Sequence, residues 1–394
     1  MLNPESGGTD PMNYRVAFLS PVSFFKGGAE RSLFDLMANP HVDPLLVVPA
    51  EGPVSEQAAS RGIPVEVVDF GQVAAIRRPV RPASVGAAFG DWFGAARKLM
   101  AVTKRHGADI VHSNGLKAHC IAGLARKLGG EACVFHVRDI AVRGSERLIW
   151  KGLARSSDHT VLVSRACWPG EMLPGNVSVV FNGVKQDGAA QPLQSVQAPS
   201  AAALQAPRAH APLVVGICGR IHPFKGHHVA IDWMGAARRR GIDITLLVRG
   251  EAEAEDRPYL ESLKRQAEAL GLADSVRFEG RFEGLAAIYN GLDAVLVPSE
   301  TPDPLPRSVM EAMSMGLPVV GYPAGGIVEM IDHRENGWLA GDAEAFCAAM
   351  EEISSLGPML VELQKSAART VAERFGMERM HRQVNQVYST VLGR

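Results

Sequence analysis

Short apolar runs recur along this chain. Most are separated by stretches whose apolar residues return every three or four positions. Brief aliphatic runs bounded by turn residues predict buried strands, and the three-to-four spacing predicts helices. Residues 14–19 (YRVAFL) predict the first strand. A loop over 20–30 follows, carrying Lys26, Gly27 and Gly28, and then a helix over 29–37. Strands are predicted over 44–48 and 65–68, with a helix over 54–61 between them. Residues 71–90 break the rhythm with small residues, prolines and Arg77, Arg78 and Arg81, and read as a long loop of the sort that is often functional. The alternation resumes with a helix over 91–106, a strand over 109–112, a helix over 117–128 and a strand over 132–137. It continues with a helix over 146–156 and strands over 160–163 and 177–181.

Residues 187–211 are Ala, Gln, Pro and Ser with almost no apolar periodicity, and predict a linker. A second alternating series follows. Its strands are expected over 213–217, 245–248, 276–278, 294–297 and 317–321, and its helices over 227–240, 258–270, 285–291 and 306–315. Gly325 and Gly326 open another helix, and 377–392 predicts a last one that crosses back to the first domain. Two such series predict an α/β protein of two doubly wound domains facing a central cleft. The expected divisions are a disordered leader over 1–13, a first domain over 14–186, the linker, a second domain over 212–375 and the terminal helix over 376–394.

Composition changes this picture little. With 394 residues, 46% hydrophobic and 21% charged, the chain reads as an ordinary globular enzyme of two or three domains. The net charge of −1 argues against a nucleic-acid binder. Its distribution is uneven: residues 1–186 hold 21 Lys and Arg against 16 Asp and Glu, and the remainder 20 against 26. A basic first half, with Trp92 and Phe93 on a basic helix, fits a membrane surface or an anionic acceptor; solvated faces and surface scatter fit as well. Cys120, Cys133, Cys167, Cys218 and Cys347 are scattered and lack paired spacing, which points to reduced thiols in a cytosol and to no zinc site.

Candidate chemistry gathers at the predicted loops. Gly27 and Gly28, between the first strand and helix, allow backbone to approach a ligand closely; a plain tight turn uses the same residues. His136 stands at the carboxyl end of a strand, where open α/β sheets face their ligand crevice; a core histidine is the alternative. Arg220 and Lys225 share a loop that enters a helix and together suit a diphosphate, or lie in solvent. Asp303 precedes the helix over 306–315 and Glu311 sits two turns in, so both could reach one ligand; an exposed loop acid and a solvated helix acid are the plainer reading.

These pieces, in this order, resemble the retaining glycosyltransferases of family 4, also called glycosyl transferases group 1, which have the GT-B fold. The resemblance runs from about residue 14 to 390. It is carried by Gly27-Gly28-Ala29-Glu30, His136, Asp158 with Ser164, Asn182-Gly183-Val184, Gly219-Arg220 with Lys225-Gly226, and Pro298-Ser299. It continues through Glu311-Ala312-Met313, Gly316-Leu317-Pro318-Val319-Val320, Gly325-Gly326, Glu329 and Asn336-Gly337. The family's acidic motif is Glu, seven residues, Glu; here Asp303 takes the first place and Glu311 the second, with Glu300 nearby at the wrong spacing. Pro306 also removes a backbone donor between the two acids.

The resemblance implies roles. Arg220 and Lys225 would hold the donor diphosphate and offset charge on the leaving nucleotide, Glu311 would bind the ribose hydroxyls, and Asp303 would contact the sugar. Gly27, Gly28 and Gly219 would admit backbone to the donor or acceptor. His136 would lie near the sugar's 6-position or the reacting centre, and Gly325, Gly326 and Glu329 would shape the phosphate and sugar end. The implied reaction is hexosyl transfer with retention from a nucleotide-diphosphate sugar, UDP or GDP being the expected nucleotide, to a saccharide or lipid-linked acceptor. It implies cell-surface polysaccharide or glycolipid synthesis, no metal or other cofactor, and a cytoplasmic enzyme peripheral to the inner membrane face. A nucleotide-sugar epimerase on the same fold and a non-catalytic accessory protein are the alternatives. A phosphorylase is disfavoured by the short chain and by the lack of a pyridoxal phosphate lysine site.

Overall fold

Five of the six residues of Tyr14–Leu19 are buried, as a strand in the middle of a sheet covered on both faces requires. The computed structural model describes residues 13–25, 27–76, 88–141, 144–185, 212–357 and 359–394. They divide into two units: the described residues up to Gly183 together with Met377–Arg394, and Val184–Gly376. Val184 belongs to the second unit through its bridge to Gly376, so the division falls slightly ahead of residue 187.

The first unit holds seven parallel strands: β1 (Tyr14–Leu19), β2 (Val42–Val48), β3 (Val65–Val67), β4 (Ile110–Asn114), β5 (Ala132–Val137), β6 (His159–Leu162) and β7 (Val177–Val179). Their spatial order is β3-β2-β1-β4-β5-β6-β7, so the order reverses between β1 and β4. Parallel neighbours need crossovers, which the intervening helices supply on both faces. One face packs the helices Gly28–Met37 and Met377–Leu392, with Phe18, Phe34, Val384 and Tyr388 in its core. The other packs Phe89–His106 and Leu116–Lys127, with Leu19, Phe70, Leu99 and Phe135.

The terminal helix is fixed by polar contacts as well. Tyr14 Oη bonds Ser389 Oγ at 2.6 Å, Asn39 donates to Asn385 at 2.7 Å, and His381 Nε2 bonds the Asp35 carbonyl at 2.7 Å.

The second unit repeats the plan with six parallel strands: β8 (Leu213–Cys218), β9 (Ile244–Arg249), β10 (Val276–Gly280), β11 (Ala294–Val297), β12 (Val319–Gly321) and β13 (Gly337–Leu339). Their order is β10-β9-β8-β11-β12-β13, with the reversal between β8 and β11. Its core includes Ile217, Trp233, Leu246, Leu296 and Phe346, with Trp233 stacked on Phe346 at 5.2 Å.

One sequence expectation changes here. Within 71–90, Gln72–Ala75 forms a helical turn rather than loop. Val73 is buried beneath it, and Asp91 accepts from the Gln72 amide at 2.8 Å. Arg77, Arg78 and Arg81, and the expected leader and linker, lie outside the described residues. Trp92 on Phe89–His106 packs against the core, and Arg105 and His106 both reach Glu66 at 2.7 Å, while Arg97, Lys98 and Lys104 on the same helix stay exposed. The stretch after Gly337, not assigned from sequence, forms β13 and the helices Ala343–Ser355 and Met359–Arg374. Among the described residues no helix is long and apolar enough to cross a membrane.

Candidate active site

In an open parallel sheet the strand carboxyl ends diverge where the order reverses, leaving a crevice for ligand. In the second unit that point lies beyond β8 and β11. The loop leaving β8 is Gly219–Gly226 and the loop leaving β11 is Pro298–Pro306. Two close approaches hold them. Gly226 has φ +70°, and a Cβ there would fall 1.9 Å from the Pro298 carbonyl oxygen. At the other end of the first loop, a Cβ on Gly250 would fall 1.7 Å from the Gly219 carbonyl oxygen. Both positions therefore demand glycine. Gly226→Ala combines a left-handed backbone with a backbone clash, and is expected to destabilise the second unit by about 2–3 kcal/mol in urea denaturation. A midpoint unchanged from wild type would show the contact to be dispensable.

Held this way, Lys225 Nζ meets Asp303 Oδ2 at 2.8 Å. The pair bridges the two loops and stays partly exposed, at 39% and 21%. The other oxygen, Asp303 Oδ1, accepts from the Leu305 amide at 3.2 Å. The Asp303 carbonyl accepts from the Gly326 amide at 2.8 Å, and Gly325, with φ +62°, lies so close that its Cβ would meet that carbonyl at 2.3 Å. Lys225, Asp303, Gly325 and Gly326 thus form one cluster. Gly325–Glu329 is a single 3-10 turn rather than the expected helix, and the Glu329 carbonyl accepts from Arg374.

Arg220 belongs to the same loop but turns to Glu253 at 3.1 Å, so the two cations have separate carboxylate partners. Gly219 adopts φ +134°, which glycine alone adopts readily. Glu300 pairs with His228 at 3.7 Å, not with Lys225. Pro306 stands just ahead of the helix Arg307–Ser314, and its carbonyl accepts from Val309.

Glu311 is neither exposed nor solvated. The residue is 8% exposed, and its carboxylate accepts from Tyr289 Oη at 3.2 Å and Arg307 Nε at 3.3 Å. Burial first, and then the Glu311 charge, push the Tyr289 hydroxyl well above its ordinary pKa, so it remains a donor. Burial raises the Cys218 thiol at the end of β8 to about 12, with Glu311 adding to the shift. Sequence reasoning missed Tyr289, whose helix Leu285–Tyr289 carries no motif. It also missed His227, next to Gly226, which is 1% exposed with neither ring nitrogen hydrogen-bonded.

The first unit presents a different arrangement. Gly27 was expected to offer backbone to a ligand, but its amide donates to Glu30 Oε2 at 2.9 Å. Its φ of 164° is extended backbone open to any residue, and a Cβ there meets nothing within 4 Å. Gly28 is the first residue of the helix it precedes in the motif. His136 sits near the carboxyl end of β5 as expected, yet it is 0% exposed. Its Nδ1 lies 3.0 Å from His112 Nε2, and His112 Nδ1 lies 2.7 Å from Tyr388 Oη. Burial first, and Arg138 second, lower His112 to about 3 and hold His136 well below its ordinary pKa, so both rings are neutral. Arg138 bridges Asn114 Oδ1, at the end of β4, and Asn182 Oδ1 of the Asn182-Gly183 pair. Asp158 is structural: it takes two bonds from Arg126, at 2.8 and 2.9 Å, and one from the Cys133 amide at 2.8 Å.

Comparison with known proteins agrees with this architecture. Residues 26–167 match the family model for Glycosyltransferase Family 4, and 212–355 match that for Glycosyl transferases group 1. The amylovoran biosynthesis glycosyltransferase AmsK of Erwinia amylovora is 30% identical over 189 residues, 45% of each chain. The lipopolysaccharide core biosynthesis mannosyltransferase LpcC of Rhizobium leguminosarum is 28% identical over 182 residues, 46% of this chain and 51% of its own. The chain therefore spans about half the length of the curated relatives it matches. Among solved structures, Anabaena HepE in complex with UDP superposes with a TM-score of 0.77 at 22% identity, over 95% of this chain and 100% of its own. The apo lipopolysaccharide outer core galactosyltransferase WaaB gives 0.71 at 17%, over 95% and 99%. These likenesses establish the GT-B fold. With both family models matched in sequence order on that fold, the chain belongs to the family 4, group 1 glycosyltransferases.

Proposed function

We propose that this protein transfers a hexosyl group, with retention, from a nucleotide-diphosphate sugar to an acceptor hydroxyl in the synthesis of a cell-surface polysaccharide or glycolipid. The observation that carries the reading is the Lys225–Asp303 pair at the reversal point of the second sheet. A partly exposed ammonium on a glycine-fixed loop suits a diphosphate, and Arg220 on the same loop adds a second cation. Glu311, its carboxylate oriented by Tyr289 and Arg307, takes the ribose hydroxyls. Asp303 orients Lys225 and contacts the sugar, while Gly219, Gly325, Gly326 and Glu329 line the phosphate and sugar end. His136 serves the sugar from the first unit. Gly27 and Gly28 contribute shape more than hydrogen bonds, because the Gly27 amide is engaged by Glu30.

UDP is the proposed nucleotide, since HepE, with the same fold, was solved with UDP, with UDP and glucose, and with UDP-glucose. The surface-saccharide setting rests on relatives named for amylovoran and lipopolysaccharide core synthesis. The reaction proceeds without a bound metal or other cofactor, and membrane contact through the first unit brings a lipid-linked acceptor to the enzyme.

The test is a panel of UDP-, GDP- and ADP-sugars read by thermal shift, followed by nucleotide release with saccharide and lipid-linked acceptors. A UDP-sugar is expected to raise Tm most and to turn over, and NMR of the product is expected to show the donor's anomeric configuration kept. Binding without turnover across the panel would overturn the enzymatic reading, and an inverted product would overturn retention.

A further inference from the structure

A tyrosine from the far end of the chain stands behind His136. Tyr388, on Met377–Leu392, is fully buried, and its hydroxyl has one hydrogen-bonding partner among the described residues, His112 Nδ1 at 2.7 Å. His112 Nε2 in turn meets His136 Nδ1 at 3.0 Å. His136 Nε2 is buried with no protein partner among the described residues. The three side chains form a single file, so one proton position dictates the others.

Two arrangements are possible for neutral rings. In the first, Tyr388 donates to His112 Nδ1, His112 Nε2–H donates to His136 Nδ1, and His136 carries its proton on Nε2. That Nε2–H and the Tyr388 oxygen's lone pairs are then unspent. In the second, every bond is reversed: His136 Nδ1–H donates to His112, and His112 Nδ1–H donates to Tyr388. That leaves two groups unspent, the buried Tyr388 O–H and the bare His136 Nε2. Each arrangement makes two bonds and leaves one donor and one acceptor unspent. The first spends the stronger donor, the phenol O–H, and both imidazole acceptors, and the acceptor it orphans is only the weakly accepting phenolic oxygen, so it is favoured. Burial keeps both rings from escaping the choice by taking a second proton.

We propose that Tyr388 is a positioning residue that fixes His136 as a hydrogen-bond donor through Nε2, by way of His112. This rests on the reading that His136 serves the sugar. It gives His136 a definite chemistry: an N–H aimed at a sugar oxygen or at developing negative charge, not a lone pair that removes the acceptor proton. The terminal helix, remote in sequence, thereby sets the protonation pattern of the site.

The test uses the full chain labelled with 15N-histidine and long-range 1H–15N correlation between pH 6.5 and 8. Wild type is expected to show the Nε2–H tautomer at both His112 and His136. Tyr388→Phe keeps the ring and loses the donor, and is expected to convert His136 to a mixed or Nδ1–H population. In sugar transfer its kcat is expected to fall about tenfold, the worth of one hydrogen bond, with donor KM within about twofold. Ser389→Ala breaks the Tyr14 contact on the same helix and is the control for loosened packing; it is expected to change neither tautomer nor kcat. An Nδ1–H tautomer at His136 in wild type overturns the proposal, as does a Tyr388→Phe enzyme with unchanged tautomers or unchanged kcat. The tautomer measurement needs no substrate. An absence of transfer from every donor would therefore strike the glycosyltransferase reading and leave the proton arrangement standing or falling on its own spectra.

Discussion

Lys225→Ala is expected to lower kcat/KM for the nucleotide-sugar donor by about 10²–10³-fold, or about 3–4 kcal/mol. The size follows from what stays behind. Lys225 and Asp303 lie 2.8 Å apart and share the reversal point of the second sheet. Removing the ammonium takes a cation from the diphosphate and also leaves the Asp303 carboxylate unneutralised beside it, so a missing attraction becomes a repulsion. Asp303→Asn removes that repulsion while keeping a polar group, and its expected loss is smaller, about tenfold. The double variant Lys225→Ala with Asp303→Asn is expected to be less impaired than the two losses multiplied, because the second change relieves what the first created. Nucleotide release measured against donor concentration for the three variants decides the matter, with urea midpoints to confirm folding. Wild-type turnover in Lys225→Ala would remove the lysine from the donor site.

Periodicity made the two parallel sheets legible because their central strands hold short, buried aliphatic runs bounded by turn residues. Ala294–Val297 and Ala132–Val137 keep their predicted limits for that reason. The third strand of a motif is less visible when it is short: Gly337–Leu339 has three residues, too few to show a period. The helix Ala343–Ser355 did carry a start signal, Asp342, whose side chain accepts from the Ala345 amide at 2.8 Å.

The site was legible at the level of residue type and not at the level of partners. Lys225 and Asp303 are 78 positions apart, and only the strand order that sets β8 beside β11 brings them together. Arg220 and Lys225 looked like a cationic pair in sequence, yet Glu253 and Asp303 draw them to different carboxylates. His136 could be placed at a strand end, but not its bond to His112 or the contact behind it, from His112 to Tyr388 across 276 positions. Glu311 reads in sequence as a solvated acid or a ligand group; Tyr289, 22 positions upstream, and Arg307, one helical turn back, bury its carboxylate and rule out the solvated reading.

Acidification from pH 6.5 to 5.0 is expected to cost the first unit about 3–4 kcal/mol of stability and the second about 2. The groups responsible are buried histidines. His112 is lowered to about 3 and His136 well below its ordinary value in the first unit, and His227 is lowered to about 4 in the second, all chiefly by burial. Neighbouring cations oppose protonation further: Arg138 faces His112 and His136, and Lys225 faces His227. An unfolded histidine takes a proton near pH 6.5, whereas these folded ones refuse it, so below that pH the unfolded state binds more protons. The stabilisation is therefore present above pH 6.5 and is lost as pH falls toward the folded values, at about 1.4 kcal/mol per histidine per pH unit. Urea denaturation at pH 7, 6 and 5 measures it, and two separating transitions are expected as the first unit weakens faster. His227→Asn is expected to flatten the pH dependence of the second transition alone. A pH-independent midpoint for the first transition would mean that His112 and His136 exchange protons with solvent in the folded chain, and the buried file from Tyr388 to His136 would then not hold.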